Sequence, residues 1–314
     1  MAFLNLFIYL ASFGLIWFGA GLIISAVDKY SKRVKLSPFA FSFLVLGLLT
    51  SIPEFSVGLG AVLEGKPDIF VGNLLGGVVV IFLLVIPLLA VLNNGIRLTH
   101  QFEGRNLVIA LAVIAAPALF VSDARVSNLE GVILILLYLF LIILVERRKG
   151  VIENFEDMVD NLKPNTTLLT DIAKLIGGIV IVFFASNIIL DKTLYFSNFF
   201  NISPFVISLI FLSIGTNLPE LSLAVKGVIL GKKDIVFGDY VGSAAANTLL
   251  FGVFTLLHNG EVLTKDGYLM TFLFIALGLV LFYLFSKSKQ GITRAEGVVL
   301  ILFYLSFVLF ELLQ

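Results

Sequence analysis

Ten stretches of the chain are apolar and nearly free of charge: residues 3–26, 38–63, 69–93, 105–122, 129–146, 169–190, 204–230, 235–258, 267–286 and 296–313. A helix needs about 20 apolar residues to cross the hydrocarbon of a bilayer, and each stretch supplies close to that. The polar connections between them alternate in charge. One set holds Lys29, Lys32, Arg33 and Lys35; Arg97 and Arg105; Arg147, Arg148, Lys149 and Lys163; Lys232 and Lys233; and Lys287, Lys289 and Arg294. Each intervening connection has a single basic residue: Lys66, Arg125, Lys192 or Lys265. Basic loops lie on the cytoplasmic side, so the alternation predicts ten crossings with both termini outside. The first stretch, Phe3 to Val27, has no basic residue before it and exceeds the ~7–15 residues of a signal-peptide core, so it reads as a spanning helix.

Composition strengthens this reading. Of the 314 residues, 59% are hydrophobic and 13% are charged, against about 25% charged in a soluble domain. Mean hydropathy is +1.09. A net charge of zero offers nothing to nucleic acid, and the absence of Cys excludes disulfides and thiolate metal sites. The two histidines, His100 and His258, form no HExxH pattern. The expected class is an all-α polytopic membrane protein.

The chain also contains itself twice. Residues 36–77 align without a gap on residues 202–243, at an offset of 166, with 16 of 42 positions identical. The matches fall mainly on Pro, Gly, Glu, Thr and Asp rather than on the common apolar residues, among them Thr50/Thr216, Pro53/Pro219, Glu54/Glu220, Asp68/Asp234, Gly72/Gly238 and Gly76/Gly242. Duplication explains that better than shared apolarity. Each copy lies in a five-helix unit, 1–146 and 169–314, joined by a cytoplasmic linker, 147–168. Five is odd, so the second unit enters the membrane inverted, an arrangement that places substrate sites at the repeat interface near the midplane. The linker is acidic through Glu153, Glu156, Asp157 and Asp160, but its spacing fits no EF-hand loop, and it reads as a solvated connection.

Glu54 and Glu220 fall in the middle of the second and seventh stretches. A carboxylate there costs several kcal/mol unless compensated, and is a functional candidate by default. No Lys or Arg lies centrally in any span, which leaves protonation or a mobile cation. The neighbours favour a cation. Thr50 and Thr216 lie four residues before each Glu, and Ser51 and Asn217 three, so they share its helix face. Pro53 and Pro219 have no N–H, which takes the helical donors from the carbonyls of Leu49 and Gly215. Two such motifs together would approach the 6–8 oxygens that calcium takes, and two carboxylates balance one divalent charge. The lack of sulfur and imidazole argues against zinc or copper. Glycines at 72/76 and 238/242 have the spacing of close helix packing. Ser243 and Asn247, four apart, fit two readings equally, as site residues or as interhelical hydrogen-bonding groups. Asn73 and Asp239 read as polar residues near helix starts.

Gly-Thr-x-x-Pro-Glu followed by a helix with Gly-x-x-x-Gly-Ser, in two inverted copies, resembles the cation/calcium antiporter superfamily, and within it the compact prokaryotic sodium/calcium exchangers. The resemblance implies a ten-helix fold of two inverted five-helix repeats and exchange of calcium for sodium in a prokaryotic cell membrane. It implies Glu54 and Glu220 as shared ion ligands, oxygens from Thr50, Ser51, Thr216, Asn217 and Ser243, and carbonyls near Gly47 and Ser213. It also implies that the first and sixth helices slide across the core, with which Gly14, Gly19, Gly21, Gly177 and Gly178 are compatible. The expected protein is a carrier rather than an enzyme, with calcium and sodium as substrates and no cofactor. The first repeat departs from the pattern: Leu49 replaces a Gly, Gly77 a Ser and Ile81 an Asn, while in the second Asn217 replaces a Ser. These departures leave calcium/proton exchange, or a transport-dead paralogue, as alternatives. An intramembrane aspartyl protease, suggested by Gly238-Asp239, fails because Val236 breaks the Gly-x-Gly-Asp pattern.

Overall fold

The computed structural model describes residues 2–31, 42–97, 105–146, 167–221, 233–258, 261–264, 268–288 and 291–313. A helix falls on each of the ten apolar stretches. They are α1 (Ala2–Ser31), the bent pair α2 (Ser42–Thr50) and α3 (Ile52–Leu63), α4 (Pro67–Leu92), α5 (Arg105–Phe120), α6 (Asn128–Glu146), α7 (Thr167–Phe200), α8 (Pro204–Leu221), α9 (Lys233–Leu257), α10 (Leu269–Ser288) and α11 (Arg294–Leu313). Eight helices among the described residues are long and apolar enough to cross a bilayer, and up to nine if α2 and α3 form one span bent by 48°. The protein is a multi-pass integral membrane protein. The linker acids Glu153, Glu156, Asp157 and Asp160 lie outside the described residues, as does Lys232.

Two helices differ in length from the sequence expectation. α7 continues through Asp191, Lys192 and Thr193 to Phe200 where a loop was expected after residue 190. Helical propensity is unbroken there by Gly or Pro, and Thr193 is buried with its hydroxyl against Tyr9 Oη of α1 at 3.1 Å. At 34 residues and ~1.5 Å per residue, α7 is longer than a ~30 Å hydrocarbon layer. α1 likewise reaches Ser31 rather than residue 26.

Burial sorts the helices into a centre and a rim. About four-fifths of the spanning windows of α4 (83%) and α9 (78%) are buried, against 28% for α6 and α11 and 31% for α7. The rim helices present large apolar side chains outward, among them Phe3, Phe7, Trp17 and Phe184, as a lipid-facing surface requires.

The duplication recurs in space. Strand β1 (Ile96–Arg97) pairs with β4 (Gly291–Ile292), and β2 (Arg125–Val126) with β3 (Val262–Leu263). Shifting either pairing by the repeat offset gives the other: Ile96↔Ile292 becomes Val262↔Val126. Each pair therefore clasps one half to the other. Ser127 and Glu130 form a reciprocal capping box at the start of α6, and Thr293 and Glu296 form its mate at the start of α11. The centre is equally paired. A Cβ on Gly76 would strike the Leu209 carbonyl, and one on Gly242 would strike the Phe43 carbonyl, so the glycines let α4 and α9 lie directly on the backbones of α8 and α2.

Candidate cation-binding site

Each glutamate follows the same local sequence of backbone events. Ser42–Leu46 and Ser208–Leu212 are π-helical turns, features that recur at functional sites. A short α-helical turn ends at Thr50 or Thr216. The chain then leaves helical geometry at Ser51 (φ −81°, ψ 7°) and Asn217 (φ −86°, ψ 11°). Pro53 sits in the first turn of α3, where its missing N–H costs nothing. The break turns side chains on both sides of it toward α4 and α9. Beyond Leu221 the second motif passes out of the described residues.

Glu54 and Glu220 are both buried, with 1% and 0% of their surface exposed, and their carboxyl groups are close enough to interact electrostatically. Ser243 Oγ of α9 donates to Glu220 Oε1 at 2.8 Å and lies 3.2 Å from Ser51 Oγ. Glu54 has no such donor, because Gly77 is the repeat mate of Ser243. Thr216 approaches Glu54 and Thr50 approaches Glu220 without closing a hydrogen bond of sound geometry. The carbonyls of Gly47 and Ser213 are partly committed within their own motifs: Gly47 O accepts from Ser51 Oγ at 2.8 Å, and Ser213 O from Asn217 Nδ2 at 2.8 Å.

Asn247 makes the interhelical hydrogen bond that was one of its two readings. Its Nδ2 donates across to Leu74 O at 3.3 Å, while its Oδ1 has no partner. The space above Gly77 is occupied by two carboxamides: a Cβ there would lie 2.7 Å from Asn247 Nδ2 and 3.2 Å from Asn217 Nδ2. The second repeat thus supplies polar groups in the space that the first leaves open at Gly77.

Asp239 and Asn73 are not peripheral polar residues, as their sequence positions suggested, but belong to the centre. Both are fully buried. Thr50 Oγ1 lies within hydrogen-bond reach of Asp239 Oδ1 at 3.3 Å, sharing its one proton with the nearer Leu46 carbonyl at 3.0 Å, and Thr216 Oγ1 donates to Asn73 Oδ1 at 3.2 Å. The signal was present in the sequence: the two are repeat mates, four residues before Ser243 and Gly77, hence on the same helix face. Of the glycines compatible with sliding, Gly19 packs against the Gly178 carbonyl and Val182, whereas Gly14, Gly21 and Gly177 have open space beside them.

The centre gathers buried oxygens around acidic side chains. Glu54 Oε1 and Oε2, Glu220 Oε2, Asn217 Oδ1, Asn247 Oδ1 and Asp239 Oδ2 are buried without hydrogen-bond partners. No Lys, Arg or His is buried among the described residues. Nor do those residues contain a cluster of three or more His, Cys, Asp or Glu side chains disposed to hold one metal. Hard oxygen donors of this kind suit calcium, magnesium or sodium rather than zinc or copper.

The family profile described as sodium/calcium exchanger protein matches residues 4–145 and 171–313. CaxA of Alkalimonas amylolytica is 26% identical over 302 residues, covering 93% of each chain. The inner membrane protein YrbG of Escherichia coli (strain K12) is 27% identical over 255 residues, 79% of this chain and 78% of its own. The sodium/calcium exchanger MaX1 of Methanosarcina acetivorans is 29% identical over 139 residues, 44% of this chain and 39% of its own. The fold superposes on the sodium-calcium exchanger NCX_Mj, soaked with sodium and strontium, with a TM-score of 0.71 at 21% identity over 98% of this chain and 99% of that one. The chain belongs to the sodium/calcium exchanger protein family.

Proposed function

We propose that the protein is a secondary active antiporter that exchanges calcium for sodium across a prokaryotic cell membrane, without covalent chemistry. Calcium and sodium compete for one site between Glu54 and Glu220. Two inverted five-helix halves, 1–146 and 169–314, carry it in a ten-helix arrangement with both termini outside. The observation that carries this reading is the set of unpartnered buried oxygens around two buried glutamates, with no buried base among the described residues to neutralise them. A buried charge without a partner is costly, and a mobile divalent ion removes the cost. Thr50, Ser51, Thr216, Asn217, Ser243 and Asn247 furnish or orient the neutral oxygens, with the carbonyls of Gly47 and Ser213 behind them. Antiport follows when the ion-loaded and empty forms differ in their access to the two sides, so that binding either ion biases the switch.

Calcium/proton exchange is the second reading. The first repeat favours it, because Gly77 and Ile81 place no side-chain oxygen beside Glu54 and leave less for sodium to bind. Radiolabelled calcium uptake into proteoliposomes, under sodium and pH gradients imposed separately, decides between the two. Uptake driven by outward sodium at uniform pH supports calcium/sodium exchange. Uptake driven only by the pH gradient replaces it with proton exchange, and no uptake under either gradient removes the transport reading.

A further inference from the structure

The two sides of the centre share one hydrogen bond but not one charge. Thr216 Oγ1 reaches Asn73 Oδ1, and Thr50 Oγ1 reaches Asp239 Oδ1 while also facing the Leu46 carbonyl. Asn73 shows that a neutral carboxamide is sufficient to hold the threonine. Asp239 makes the same bond with a carboxyl group, at 0% exposure, and its second oxygen has no partner. Burying a carboxyl there is costly, so a residue needed only to steady Thr50 would be cheaper as Asn. No buried base among the described residues offsets it. Asp239 lies within electrostatic range of Glu220, and Thr50 stands between them, bonded to one and approaching the other. The buried phenol of Tyr240 is near both carboxyl groups and is also without a partner.

Charge balance then separates the two sides. Glu54 and Glu220 together match one divalent ion. Asp239 adds a third acidic group on the Glu220 side alone, which calls for one more positive charge. We propose that Asp239 is a cation-binding residue, and that with Thr50 and Glu220 it forms a subsite for one monovalent metal ion, sodium, on the Glu220 side of the centre. This rests on the reading of the two glutamates as a divalent-ion site.

Asp239→Asn is the informative variant, since it copies the arrangement at Asn73 and retains an acceptor for Thr50. The measurement is calcium flux in proteoliposomes against sodium concentration, with the pH gradient controlled separately. The expected result is a sodium Hill coefficient lower by about one than in the wild type, as the Hill coefficient is bounded by the number of sites. A lower rate with an unchanged sodium Hill coefficient assigns Asp239 to positioning Thr50 and overturns the proposal. A change confined to the dependence on pH assigns it to a proton and also overturns it. If Asp239→Asn is not recovered folded, Asn73→Asp tests the same idea in reverse: a carboxyl added to the Glu54 side raises the sodium Hill coefficient, and no change overturns the proposal. A wild type that moves no calcium under either gradient fails the transport reading itself. A wild type that exchanges calcium for sodium, beside an Asp239→Asn variant with identical sodium dependence, fails only the subsite.

Discussion

Ser243 holds Glu220 through a 2.8 Å hydrogen bond, and its repeat mate Gly77 leaves Glu54 with both oxygens unpartnered. The duplicated glutamates are therefore inequivalent: Glu220 is oriented by a side-chain hydrogen bond, whereas the Glu54 carboxyl has none. A hydrogen bond to a charged group contributes about 1.5–3 kcal/mol, and about 1.4 kcal/mol is a factor of ten in affinity. Ser243→Ala is expected to weaken calcium binding roughly tenfold while the protein stays folded. Calorimetric titration of the purified variant checks it, and wild-type affinity would mean that Ser243 does not orient the carboxylate.

Close backbone contact at the centre gives a second expectation. Gly242 lies directly on the Phe43 carbonyl, which is main chain and cannot swing aside. Gly242→Ala forces α2 and α9 apart and is expected to cost at least ~1–3 kcal/mol, the usual penalty of overpacking. It would also disturb Ser243, the next residue in the chain. Thermal unfolding in detergent measures the loss, and a melting temperature equal to the wild type's contradicts the packing described.

The strand pairs at the loops provide a test of how the halves are joined. Arg97 pairs with Gly291, and paired Cα atoms sit about 4.5–5.5 Å apart, within disulfide reach. The chain has no Cys, so Arg97→Cys/Gly291→Cys offers one bond only. On oxidation, a protein cut in the segment between residues 147 and 166 is expected to migrate as one species on a non-reducing gel. Two separate fragments after oxidation would contradict the pairing.

Much of this was readable in the sequence because a membrane imposes simple demands. Apolar length located the helices, and matching Pro, Glu and Gly exposed the duplication through Glu54 and Glu220. Other features escaped because they depend on packing across the repeat. The four-residue spacing from Asp239 to Ser243 put both on one helix face, but it takes the approach of Thr50 to show that Asp239 is central. The filling of the Gly77 space by Asn217 and Asn247 likewise needs three helices in contact. The π-helical turns at Ser42–Leu46 and Ser208–Leu212 have no local signature, since their apolar residues fit an α-helix equally well. The end of α7 was misplaced because Asp191 and Lys192 read as a loop, whereas a helix continuing past the bilayer tolerates charge.

Calcium binding to Glu54→Gln and Glu220→Gln, titrated calorimetrically beside the wild type, bears most directly on the two-glutamate centre. Glutamine preserves shape and removes one charge, so each variant alone should lose calcium binding by at least about a hundredfold, or about 2.7 kcal/mol. Wild-type affinity in either variant would show that the two carboxylates do not hold the ion together.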